Sequence, residues 1–194
     1  MKLKRQTGQS LIELMVALAL GLILSGFIVA IFQSIRRASS YNNNLITVQE
    51  TGRSVFHLLQ RDLDNATELI NPESIPENIQ AHVHESSGVL YFKKGAKKLV
   101  YYLSATKRKD EKGDAVFELD RRDLSISRHN QTAMLDGVQN FNINYGKITE
   151  GNLNFVPAQH ITIWSDVKLV KVSFIAESNT LKRTFEFVLR VASR

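Results

Sequence analysis

GQSLIELMVALALGLILSGFIVAIF, residues 8–32, is apolar from Leu11 onward apart from Glu13, Ser25 and the glycines. As a helix rising 1.5 Å per residue, Leu11 to Phe32 spans roughly 33 Å, about the thickness of bilayer hydrocarbon. A helix lying along a water-facing surface would carry a polar face, and this one has none. It therefore reads as a membrane segment. It is too long for the apolar region of a cleaved secretory signal, and no small-x-small cleavage site follows it. An uncleaved signal anchor is the plainer alternative. Two residues speak against it: Gly8, placed between a basic leader and the apolar run, and Glu13, a carboxylate inside that run.

A carboxylate at membrane depth costs about 2.5–3.5 kcal/mol on insertion scales, so such a residue usually has a partner or a task. No basic residue lies near Glu13 on the lipid side after Arg5. Cleavage after Gly8 would create an α-amino group on Gln9. That cation could pair with Glu13 of its own chain or of a neighbour, cancelling two charges and fixing axial register between packed helices.

The short basic leader, Gly8, and Ser10-Leu11-Ile12-Glu13-Leu14 leading into an apolar helix resemble the class III signal of type IV prepilins. The resemblance implies that a prepilin peptidase cuts between Gly8 and Gln9 and methylates the new N-terminus. It also implies that Glu13 recruits the subunit to a filament. The sequence departs from the usual pattern at Gln9, where the family usually has phenylalanine. It also lacks a proline in the apolar helix, leaving Gly21 and Gly26 as its flexible points. Lys2, Lys4 and Arg5 favour a cytoplasmic N-terminus, with Arg36 and Arg37 weakening the bias. The expected layout is a leader over 1–8, a membrane and filament-core helix over 9–35, and a periplasmic head over 36–194.

Within the head, Leu45, Val48, Val55, Phe56, Leu59, Leu63, Ala66 and Ile70 recur in helical steps and predict an amphipathic helix ending at Asn71-Pro72. Asn42-Asn43-Asn44 marks a weak point where two helical halves could bend. From about Ala81 the period changes to two. Val89–Phe92 and Leu99–Leu103 predict a hairpin around Lys94-Gly95-Ala96. Val116–Leu119 with Leu124–Ile126 predict a second pair, Val138–Tyr145 a long strand, and Ile161–Trp164 another. Val170, Val172 and Phe174 alternate, as do Phe185, Phe187, Leu189 and Val191, with Ser178-Asn179-Thr180 between them. The expected fold class is α+β: a long N-terminal helix packed on an antiparallel β-sheet head, as in type IV pilins.

Thr51-Gly52-Arg53, Arg61-Asp62-Leu63, Tyr101-Tyr102-Leu103, Leu119-Asp120-Arg121-Arg122 and Met134–Val138 leading to Phe141 and Tyr145 resemble the pattern of PilW-type minor pilins. J-type pseudopilins of type II secretion share this layout. Either resemblance implies partnership with other minor and major subunits, the peptidase and an inner-membrane assembly platform. It also implies a role in priming filament assembly or at the tip, serving motility, adhesion or DNA uptake.

Composition excludes several other classes. With no cysteine, the chain has no disulfide, thiol nucleophile or cysteine-held zinc. Of the net charge of +6, three charges sit on Lys2, Lys4 and Arg5, so the remainder is no basic footprint. No nucleophile elbow, phosphate loop or metalloprotease helix is present. Asp62 and Asp64 lie two apart on a helix and diverge, and His82-x-His84 lacks the further ligands a metal needs. The expectation is no catalytic site, no cofactor and no metal. Lysine-rich turns at Lys93–Lys98 and Lys107–Lys112, the first beside Tyr91, Phe92, Tyr101 and Tyr102, leave a DNA-binding tip subunit as an alternative, to be separated by salt-dependent affinity. A signal-anchored periplasmic enzyme is the other, and it would be indifferent to Glu13.

Overall fold

The computed structural model describes residues 11–85, 87–109, 115–126, 131–149, 151–179 and 181–192. Its first element is the helix α1, Leu11–Leu63, which stays helical through Asn42-Asn43-Asn44. The chain forms two compact units, Met1–Asn43 and Asn44–Arg194. In the first, every residue from 11 to 43 is exposed. Open space stands where a side chain would begin at Gly21 and Gly26.

In the second unit, Val48, Gly52, Val55, Leu59, Asp62 and Leu63 are the buried face of α1, spaced as a helical stripe requires. The helix ends at Leu63, earlier than the expected stop near Asn71. Asn65 Nδ2 donates to the Arg61 carbonyl at 2.8 Å, a side-chain bond that competes with helical continuation. The backbone then turns onto a strand edge, where Thr67 N donates to Lys93 O and Ile70 N to Tyr91 O. Ala66 and Ile70 therefore serve that edge rather than the helix. Asn71 starts a 3-10 turn over Pro72–Ser74, its Oδ1 accepting from Glu73 N at 3.0 Å. A one-turn helix α2, Glu77–Gln80, follows.

The remaining chain forms two antiparallel sheets where a single head sheet was expected. The first comprises β1 (Glu68–Leu69), β2 (Leu90–Lys94), β3 (Lys97–Lys109), β4 (Ala115–Asp123) and β5 (Gln131–Asp136), adjacent in that order. The second comprises β6 (Val138–Thr149), β7 (Asn152–Val156), β8 (Leu169–Ser178) and β9 (Leu181–Arg190), in the order β7-β6-β8-β9. The β2–β3 hairpin closes as expected, with Lys94 opposite Lys97 and Gly95 at φ +60° in the left-handed region. β8 and β9 match the alternating runs.

Two expected strands are not strands. Leu124–Ile126 is a turn, held because Asp123 Oδ1 accepts from both the backbone N and the hydroxyl of Ser125. Over 158–166 the chain makes 3-10 turns, Ala158–His160 and Trp164–Asp166. Ile161 packs inward while Trp164 meets Tyr145 edge-on at 4.8 Å.

The first sheet is covered on both faces. Phe92, Leu99, Tyr101 and Leu103 join Val48, Val55, Leu59 and Leu63 of α1 and the inner face of the second sheet in the main core. Tyr91, Val100 and Tyr102 pack on the other side against Ile75 and Ile79. That double coverage is why Leu99–Leu103 reads as an unbroken apolar run. The long helix and antiparallel sheets fit the α+β, type IV pilin-like fold.

Candidate functional site

Two sets of side chains distinguish this chain, one in each unit. The first is the apolar surface of α1. Leu11, Ile12, Leu14, Met15, Leu18, Leu22, Phe27, Ile31 and Phe32 are each more than half exposed. A large apolar side chain left in water forgoes about 1.5–3 kcal/mol, so a stretch of this size belongs in lipid or against other helices. Among the described residues, α1 is the helix long and apolar enough to cross a membrane. Glu13 lies in its first described turn. Gly8 and Gln9 lie outside the described residues.

The second set lies under α1 in the head. Asp62, 1% exposed, faces three strands at once. Its Oδ2 accepts from Tyr101 Oη of β3 at 2.6 Å and from Arg121 Nε of β4 at 2.6 Å. Its Oδ1 accepts from Lys94 Nζ of β2 at 2.9 Å. Arg121 Nε also donates to Tyr101 Oη at 3.0 Å. Burial would raise the Asp62 carboxyl, but the hydrogen bonds from Arg121, Tyr101 and Lys94 outweigh it and hold the group at about 2. Burial and the Asp62 charge push the Tyr101 phenol upward. A locked carboxylate beside a locked phenol has no proton to exchange near neutral pH and no open side for a substrate. The cluster is a clamp between helix and sheet.

Asp64 is exposed where Asp62 is buried, as their spacing implied. His82 is exposed, and the His84 ring stands edge-on to Phe117 at 4.4 Å. Among the described residues no group of three or more His, Cys, Asp or Glu is placed to hold a metal. The first lysine-rich turn is partly engaged: Lys94 reaches Asp62, and Lys97 reaches Asp123 at 3.6 Å. Tyr91, Phe92, Tyr101 and Tyr102 are buried, so they offer bases nothing to stack on. Within the second turn, residues 110–114 lie outside the described residues.

Sequence reasoning marked Arg61-Asp62-Leu63, Tyr101-Tyr102-Leu103 and Leu119-Asp120-Arg121-Arg122 as separate structural stretches. It missed that Asp62, Tyr101 and Arg121 meet. Nothing in the sequence linked the three, because Tyr101 and Arg121 stand 39 and 59 residues from Asp62.

Residues 3–29 match the family model described as the Prokaryotic N-terminal methylation motif. The matched span contains Gly8, Gln9 and Glu13 and most of the apolar run. No curated protein and no solved structure matches the chain. The motif supports a type IV pilin or pseudopilin role, association with other pilins and a prepilin peptidase, and a structural, non-enzymatic protein anchored in a membrane.

Proposed function

We propose that the chain is a minor pilin of the PilW type, processed between Gly8 and Gln9, with Gln9 the N-methylation site. The observation that carries this reading is the exposed apolar stretch of α1 with Glu13 at its start, most of it inside the methylation-motif match. In the inner membrane the helix stores the subunit, with the head on the periplasmic side. In the filament it packs against neighbouring helices, where Glu13 pairs with an N-terminal amine. The head joins other minor pilins in a complex that primes assembly or caps the tip. Beyond the apolar helix, the Asp62 clamp supports this division of labour, because it ties the head's own helical turns to the sheet.

The test is filament incorporation. Filaments sheared from cells carrying the wild-type chain should contain it at far below the level of the main subunit. Glu13→Ala should be cleaved normally yet be depleted from filaments about tenfold or more, the equivalent of losing an ion pair worth more than 1.4 kcal/mol. Equal incorporation of Glu13→Ala and wild type would overturn the role given to Glu13. A secretion defect with intact pili would move the chain to the pseudopilin class.

A further inference from the structure

The junction of the two sheets holds a cleft of about 670 Å³. β7 covers the edge of β6 only from Tyr145 onward. Ahead of that point the segment entering β2 takes over: Gly88 N donates to Phe141 O, and Tyr145 Oη donates to Val89 O at 3.0 Å. Glycine is required there, because a Cβ on residue 88 would stand 2.9 Å from both Ile143 N and Phe141 O. The seam is closed, and the cleft opens beside it.

Its lining is polar in a particular way. Asn142 and Asn144 alternate on β6 with the buried Phe141, Ile143 and Tyr145, placing two amides on one strand face about 7 Å apart. Ser173 stands across from Asn142 on β8. Gln159, of the turn Ala158–His160, and Glu73 and Glu85 also line the cleft. Among the described residues the side chains of Asn142, Asn144, Gln159 and Ser173 have no hydrogen-bond partner. Among the described residues, no Lys, Arg or His lines the cleft.

We propose that this cleft binds a neutral glycan. An amide donates and accepts at once, as a sugar hydroxyl does, so paired amides match a hydroxylated ring. The two carboxylates accept from hydroxyls and repel anions, which disfavours phosphates, nucleic acid and acidic sugars. Pro72, Val89 and Pro157 supply apolar surface for the C–H face of a ring. An extended peptide added as a strand would need an open edge. Here β7 and the Gly88 segment occupy that edge of β6.

The experiment uses the full chain in a detergent without a sugar headgroup, since such headgroups would compete. It is passed over an array of neutral, sialylated and sulfated oligosaccharides, and a retained neutral glycan is titrated by calorimetry. Wild type should bind a neutral glycan saturably. The pair Asn142→Ala with Asn144→Ala should weaken binding about tenfold, as expected for two lost hydrogen bonds. Gln159→Ala, on an exposed turn outside the sheets, should weaken it severalfold and decides the matter if the double variant melts early. Retention of no neutral glycan, preference for acidic ones, or unchanged affinity in Gln159→Ala and the double variant would overturn the proposal. None of these results touches processing at Gly8 or incorporation through Glu13.

Discussion

Asp62 ties α1 to three strands of the head. It is buried, ionised, and bonded to Lys94, Tyr101 and Arg121 on three different strands. Asp62→Ala should lower the unfolding free energy by about 3–5 kcal/mol, because it leaves Arg121 charged and half-buried without its carboxylate. Urea denaturation of the two proteins would measure it. The same residue sets an acid dependence. Its folded-state pKa of about 2 lies below the ordinary 3.8, so the stabilisation is complete above roughly pH 5. It is lost as pH falls through 4 toward 2. Between pH 5 and 2 the wild-type urea midpoint should therefore fall more steeply than that of Asp62→Asn. Parallel curves would deny the carboxylate this role. None of this was legible in sequence, since Tyr101 and Arg121 are 39 and 59 residues away from Asp62 and no periodicity reports such a meeting. What spacing could say, that Asp62 and Asp64 diverge, it said correctly.

Among the elements, α1 meets β9 closely at Gly52. A Cβ on Gly52 would run into the ring of Phe185, which stacks on Phe174 at 5.4 Å. Phe56 of the same helix meets Phe187 edge-on at 5.2 Å. Gly52→Ala gains about 1 kcal/mol of helix propensity but overpacks this contact, a penalty of about 1–3 kcal/mol. The net change should be destabilising, and Phe185→Leu in the same chain should recover most of it. A double-mutant cycle on urea midpoints checks the coupling; additive effects would mean that the two residues do not meet. Elements with strong patterns were legible: the β2–β3 hairpin, β8, β9 and the helical stripe from Val48 to Leu63. Others were hidden by local side-chain bonds, as at Asn65 and Asp123, which end a helix or make a turn where hydrophobic spacing runs on. β7 was missed because Asn152–Val156 is mostly exposed and shows little apolar alternation. In β6 the bulge between Gln139 and Asn142, with Asn140 at φ +49°, shifts the buried set from Val138 to Phe141, Ile143 and Tyr145. The sequence already carries that shift in the three-residue step from Val138 to Phe141.

Over the whole molecule, a helix with no polar face and a head with an ordinary core are different solutions to the same rule that apolar surface leaves water. The N-terminal part was the most legible, because its signal is composition within one short stretch. The division of the head into two sheets was not, because strand patterns predict faces and leave sheet membership open. The proposed function requires that Gly8 and Gln9 flank a processed bond and that the chain after it builds into a filament. The most direct measurement is the intact mass and N-terminal sequence of the membrane-extracted chain, expressed with and without an active prepilin peptidase. A chain beginning at Gln9, carrying one added methyl group, is expected only when the peptidase is present. A chain that still begins at Met1 beside active peptidase would contradict the proposed function and return the apolar helix to a plain membrane anchor.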